Sequence, residues 1–93
     1  MANFSFSEHC VVRFKQRGKN KNQTDLFDLY NELRKVKNDA ILCYVSHDQT
    51  TLYYEVPGYE DLYFVVNKIS NVCVTVKTLT YKQKLELDYP KNS

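Results

Sequence analysis

The second half of this 93-residue chain contains four short apolar runs separated by turn-forming residues, and this pattern limits the folds that it can adopt. The runs cover residues 40–45, 51–56, 62–67 and 72–79. Apolar side chains at every second position are typical of a strand with one buried face. Because Pro57-Gly58 and Ser70-Asn71 are turn sequences, consecutive runs are expected to pair as antiparallel strands.

Two segments before these runs have the residue spacing of helices. The first is predicted over residues 8–16, because Ser7 can cap its start and Gly18 can end it. The second follows the capping residue Thr24 and presents a broad apolar face made of Leu26, Phe27, Leu29, Tyr30, Leu33 and Val36. The order predicts an α+β fold, with two N-terminal helices packed on a curved four-stranded antiparallel sheet. Residues 3–6 could add a fifth strand.

The length of the chain predicts a single domain over residues 1–93. Its predicted core consists of Phe14, Leu26, Leu29, Leu33, Leu52, Tyr54, Phe64, Val66, Val74 and Val76. The charged segment at residues 81–93 leaves three alternatives open, which are an extended strand, a short helical turn and a frayed tail.

Composition excludes some classes of protein and leaves others open. A hydrophobic content of 43% is too high for a disordered chain. The net charge of +2 does not by itself indicate nucleic-acid binding. No apolar run is long enough to cross a membrane and no signal peptide opens the chain, so we expect a cytoplasmic protein without membrane contact. The three cysteines lack a C-x-x-C spacing and lie in apolar segments, which predicts reduced, buried thiols.

A cationic stripe is the main functional feature of the first predicted helix. His9, Arg13 and Arg17 recur at i, i+4 and i+8, with Gln16 beside them, so these side chains share one face. Like charges at this spacing repel and do not stabilise a helix. They suit an anion instead, and a phosphodiester is the obvious candidate. The alternative is an ordinary solvated face opposite a buried one.

The segment Phe6-Ser7-x-His9-x-x-x-Arg13-x-x-Gln16-Arg17 resembles the S-x-H-x-x-x-R-x-x-x-R helix of the RelE-like microbial ribonuclease superfamily, especially its phage early-messenger endoribonucleases. This resemblance implies an early strand, two helices and a curved antiparallel sheet. It also implies a metal-independent endoribonuclease of phage or toxin type that needs no cofactor and cleaves mRNA, free or on the ribosome, by in-line attack of the 2′-hydroxyl. His9 would transfer a proton, while Arg13 and Arg17 would bind the phosphate.

The chain departs from this family at the second helix. The phage enzyme has a second catalytic histidine there, and Asn31 occupies the matching position. Asparagine can orient a phosphate but cannot transfer a proton at neutral pH. Either His47, which is beside Asp48 in a predicted turn, provides the second group, or the chain binds RNA without this mechanism. Two histidines without metal-ligand spacing predict no metal site.

A non-catalytic alternative therefore stays open. On the same fold, the chain would be a binding or inhibitor module, such as a phage protein that targets a host factor or defence system in the host cytoplasm. Its oligomeric state is not predicted.

Further RNA contacts are predicted outside the stripe. Tyr44, Tyr53 and Tyr63 are expected to point outward from three neighbouring strands, where aromatic rings can stack on unpaired bases. Cross-strand aromatic packing is the alternative for these tyrosines. Lys19, in the basic loop after the first helix, adds a predicted phosphate contact.

Overall fold

The computed structural model describes residues 3–17 and 26–90, and for Leu26 it describes the backbone alone. Within these ranges the protein is α+β, with three helices and one five-stranded sheet. The elements in chain order are β1 (Ser5–Phe6), α1 (Glu8–Arg17), α2 (Leu26–Asn38), β2 (Ile41–Val45), β3 (Thr51–Glu55), β4 (Leu62–Asn67), β5 (Val72–Thr78) and α3 (Tyr81–Leu85).

The sheet has the strand order β1-β5-β4-β3-β2 and is mixed. Strands β2 to β5 form the expected antiparallel meander. The prediction of a wholly antiparallel sheet is wrong at β1, which runs parallel to β5 with Ser5 opposite Val72 and Phe6 opposite Cys73. This pairing satisfies backbone groups on the outer edge of β5, and it places the preceding Phe4 in the core against Tyr54 and Phe64.

The core lies between one face of the sheet and the helices α1 and α2. The predicted core residues Phe14, Leu29, Leu33, Phe64, Val66 and Val76 are all buried. Leu52 and Tyr54 are half-buried and pack against this cluster. Cys10, Val11 and Cys73 complete the contact between α1 and β5. The predicted side-chain position of Leu26 lies outside the described residues.

One core prediction is wrong, at Val74 in β5. Val65 pairs with Thr75, whereas the next residue, Val66, pairs with Cys73, so a β-bulge leaves Val74 without a direct partner. A bulge inserts one residue and shifts the alternation of side chains. Val76 is therefore fully buried while Val74 is 41% exposed.

The C-terminal segment covers the opposite face of the sheet. Thr80 caps α3 by accepting a hydrogen bond from the Gln83 N–H, and the Gln83 side chain accepts one from the Thr80 N–H. Lys84 of α3 lies 5.6 Å from the ring centre of Tyr63 and pairs with Asp61. Beyond α3, the backbone of Asp88 exchanges two 2.8 Å hydrogen bonds with Val45 on the outer edge of β2. Of the three alternatives for residues 81–93, the described part of the segment has the short helix, at Tyr81–Leu85, and residues 91–93 lie outside the described residues.

Candidate functional site

Helix α1 is fixed to the sheet through Ser7, the residue that precedes it. The Ser7 hydroxyl accepts a hydrogen bond from the Cys10 N–H at 3.1 Å, which confirms the predicted cap. The same hydroxyl donates to the Val74 carbonyl at 3.2 Å, and the Ser7 N–H donates to the Cys73 carbonyl at 2.9 Å. Because Ser7 is anchored in this way, the orientation of α1 relative to β5 is defined.

The two sides of α1 differ in burial as the sequence predicts. Its apolar side is buried in the core, whereas His9, Gln16 and Arg17 are exposed and Arg13 is half-buried. The four side chains therefore lie on the outer part of the helix, and we call this set the α1 stripe. Arg17 lies eight positions after His9 in the helix, a distance of about 12 Å along the axis.

Arg13 has hydrogen-bonding capacity that the described residues do not use. Its Nη1 donates to the Gln16 side-chain oxygen at 3.4 Å. Its Nε is enclosed and has no hydrogen-bond partner within residues 3–17 and 26–90. A guanidinium carries five N–H donors, and an enclosed donor without an acceptor costs free energy. This enclosed Nε is not accessible to an external anion, whereas the exposed side chains of His9 and Arg17 are.

Open grooves adjoin both ends of the α1 stripe. Near its N-terminal end, a cavity of about 460 Å³ lies between α1 and α2 and is lined by Glu8, Val11, Val12 and Tyr30. Near its C-terminal end, a cavity of about 310 Å³ is lined by Gln16, Arg17, Tyr59, Glu60, Leu62 and Thr78. Tyr30 and Glu60 were not predicted as site residues. The one sequence feature that could have indicated an exposed Tyr30 is the breadth of the apolar face of α2. A face that wide extends beyond the area that the sheet can cover.

His47 lies away from the α1 stripe, in the turn between β2 and β3. Its Nδ1 is 3.0 Å from the Oδ2 of Asp88, which belongs to the segment after α3. Asp88 therefore occupies the orienting position that the sequence suggested for Asp48. The Asp48 carboxylate accepts hydrogen bonds from Ser46 and Thr50 instead, and these bonds lower the pKa of Asp48 to about 2.

The structure does not bring His9 and His47 together. His9 is on α1, which packs on the sheet face that contains Phe64. His47 contacts the C-terminal segment, whose Lys84 covers Tyr63 on the opposite face. Neighbouring residues of a strand point to opposite faces, so the sheet lies between the two histidine-bearing elements.

The tyrosines predicted to stack on RNA are largely covered by side-chain packing. Tyr63 is only 3% exposed, so the expectation that its ring points into solvent is wrong. Its ring packs edge-on against Tyr44 at 5.8 Å, and Tyr44 packs in turn against Tyr89 at 5.9 Å. Tyr53 is half-buried, and burial raises its pKa. The physical reason is α3, because this helix covers the face that the sequence left open.

The sequence also predicts RNA contacts at Asn31 and Lys19. Asn31 is half-buried on α2. Lys19 lies outside the described residues.

Comparisons with protein families, curated proteins and solved structures yield no match to this chain. Within the described residues, no cluster of three or more histidine, cysteine, aspartate or glutamate side chains could hold a metal ion. None of the described helices is long and apolar enough to span a bilayer.

Proposed function

We propose that this protein is a small, metal-independent endoribonuclease of the RelE-like type that binds single-stranded RNA through the α1 stripe. The observation that carries the proposal is the display of His9, Arg13 and Arg17 on the outer side of a helix whose other side is anchored in the core. The exposed guanidinium of Arg17 supports it, because a phosphodiester oxygen is a suitable acceptor for guanidinium N–H groups. The motif resemblance of residues 6–17 supports the same function.

In this mechanism the two arginines bind the scissile phosphate and stabilise the charge that develops on it. The RNA 2′-hydroxyl attacks in line, and His9 transfers one of the two protons, since an imidazole ring can both accept and donate a proton. His47 is not assigned the second transfer, because its ring is paired with Asp88 across the sheet. Glu60 lines the groove beside Arg17, and we test its carboxylate, instead of His47, as the group that transfers the second proton.

Tyr30 adds an aromatic surface to the same side of the molecule. It is 38% exposed and lines the groove between α1 and α2, close to the N-terminal end of the α1 stripe. An exposed ring beside a phosphate-binding surface can stack on an unpaired base. We therefore propose Tyr30, rather than Tyr63, as the base-stacking residue.

A non-catalytic RNA-binding module is the second candidate. The specific observation that favours it is the separation of His9 from His47, together with Asn31 at the position of the family's second histidine. In that case the α1 stripe would recognise a phosphate without cleaving the chain.

The test is binding and cleavage of a labelled single-stranded RNA at low salt, with EDTA present. The double variant Arg13→Ala, Arg17→Ala should weaken binding at least about tenfold and flatten its salt dependence. The matched double variant Arg34→Ala, Lys35→Ala removes two exposed cations from α2 and should bind almost normally. Equal losses in both would contradict a specific phosphate site, and absence of RNA affinity in the unmodified protein would remove RNA from the proposal.

Whether the bound RNA is cleaved distinguishes the endoribonuclease from the non-catalytic RNA-binding module. We expect products with 2′,3′-cyclic or 3′-phosphate ends, since the 2′-hydroxyl is the nucleophile. His9→Ala should abolish cleavage with the fold intact, whereas the matched His47→Ala should cleave like the unmodified protein. Glu60→Gln should slow cleavage if its carboxylate transfers the second proton. RNA that is bound but left intact would favour the non-catalytic module.

A further inference from the structure

Two buried thiols meet where α1 packs on β5. The Sγ atoms of Cys10 and Cys73 are 2.9 Å apart, although 63 residues separate them in the chain. Both side chains are fully buried and both cysteines are free. A disulfide bond is about 2.05 Å long, so the two sulfurs would need to approach by less than about 1 Å to form one.

Backbone contacts hold these cysteines in place through one residue. Ser7 donates its N–H to the carbonyl of Cys73 and accepts the Cys10 N–H on its hydroxyl. In the sheet, Phe6 is the direct partner of Cys73. The sulfurs are thus positioned by a helix cap and a strand register.

We propose that Cys10 and Cys73 form an intramolecular disulfide when the chain folds in the presence of a small-molecule disulfide, which makes the pair a redox modification site that joins α1 to β5. In the first step, one cysteine thiolate attacks the small-molecule disulfide, forms a mixed disulfide and releases one thiol. In the second, the other cysteine thiolate attacks the protein sulfur of that mixed disulfide and releases the second thiol. The two cysteines lose two electrons and two protons, and one oxidised glutathione becomes two reduced molecules.

Burial determines when the exchange takes place. Contact with Cys73 and burial raise the pKa of the Cys10 thiol, so the folded dithiol is a weak nucleophile shielded from solvent. Before or during folding, both thiols are accessible. We therefore expect fast disulfide formation during refolding and slow formation in the protein that is already folded.

Cys43 is an internal control for the pairing of Cys10 with Cys73. It is half-buried on β2, and its thiol donates to the carbonyl of Ile41 at 3.4 Å. Because β2 and β5 are separated by two strands in the sheet order, Cys43 has no route to either sulfur without unfolding. It is expected to remain a thiol or to carry glutathione, but not to pair with Cys10 or Cys73.

The experiment refolds the full chain and its Cys43→Ser variant from denaturant in a buffer of reduced and oxidised glutathione. Samples are quenched with acid, alkylated and mapped by peptide mass spectrometry. In both proteins we expect a Cys10–Cys73 cross-link as the main product. Because it closes a long loop, the cross-link should raise the melting temperature by about 10 °C or more over the reduced protein. A control kept in denaturant with the same glutathione should contain much less of this cross-link.

Two results would overturn the proposal. One is a Cys10–Cys73 fraction that is no higher after refolding than in denaturant. The other is a refolded protein in which Cys43 pairs as often as Cys10 or Cys73. Neither result bears on RNA, because the sulfurs lie on the buried side of α1 and the α1 stripe lies on its exposed side.

Discussion

The ring Nδ1 of His47 lies 3.0 Å from the carboxylate Oδ2 of Asp88, although the two residues are 41 positions apart. This contact joins the turn between β2 and β3 to the segment that follows α3. The backbone of Asp88 is already hydrogen-bonded to Val45, so the side-chain contact with His47 adds to an existing attachment. It also places His47 on the side of the sheet away from the α1 stripe.

We expect the His47–Asp88 pair to contribute little to stability. The His47 and Asp88 side chains are 70% and 45% exposed, and even fully charged pairs at an exposed surface contribute less than about 1 kcal/mol. A double-mutant cycle with His47→Ala and Asp88→Ala, measured by urea unfolding, should give a coupling free energy below that value. A coupling of several kcal/mol would mean that this pair holds the C-terminal segment in place.

The β-bulge in β5 predicts different costs for the same substitution at two nearby positions. Val76→Ala should lower the free energy of unfolding by about 2 kcal/mol, because it removes buried methyl groups and leaves a cavity. Val74→Ala should cost less than about 1 kcal/mol, because Val74 is 41% exposed. Chemical denaturation of the two variants checks this directly. Equal costs would show that the bulge is placed wrongly.

The hydrogen-bonded carboxylate of Asp48 predicts that the free energy of unfolding depends on pH in the acid range. Hydrogen bonds from Ser46 and Thr50 lower its pKa from the ordinary aspartate value of 3.8 to about 2. A pKa that is lower in the folded state contributes stability above the unfolded pKa, and the contribution is lost as pH falls through the folded pKa. The stability difference between the unmodified protein and Asp48→Asn should therefore shrink between pH 4 and pH 2.

NMR titration of the Asp48 side-chain carboxyl provides a direct check on this pKa. The midpoint should lie near 2 in the unmodified protein and should rise when Thr50→Val removes one hydroxyl donor. A midpoint near the ordinary aspartate pKa of 3.8 in both proteins would contradict the hydrogen bonding of this turn.

Asn31→His tests the family resemblance and rests on the proposed function. If Asn31 replaces a proton-transfer histidine, restoring the imidazole should raise RNA cleavage at least about tenfold, since a positioned acid or base contributes factors of this size or larger. Asn38→His, on the exposed end of the same helix, is the matched control and should leave the rate unchanged. A rise that persists in the His9→Ala background would argue against the assignment of His9.

Much of the local structure could be predicted from the chain. The cap at Ser7, the buried side of α1 and the positions of β2 to β5 all follow from residue types and spacings a few positions apart. Phe64 and Val66 face the core because side chains alternate along a strand. The grouping of His9, Arg13 and Arg17 on one face has the same origin, because helical periodicity places residues i, i+4 and i+8 together.

Contacts between distant segments decided the rest. The sequence by itself determined which residues are apolar at which period, and hence the helices, most strands and the α1 stripe. Tertiary structure alone decided that β1 pairs in parallel with β5, that Val74 leaves the core, that α3 covers Tyr63 and that His47 meets Asp88 rather than His9. Local periodicity is set by backbone geometry within a few residues. Strand partners, bulges and the covering of a face depend instead on the free energy of packing segments that are far apart in the chain.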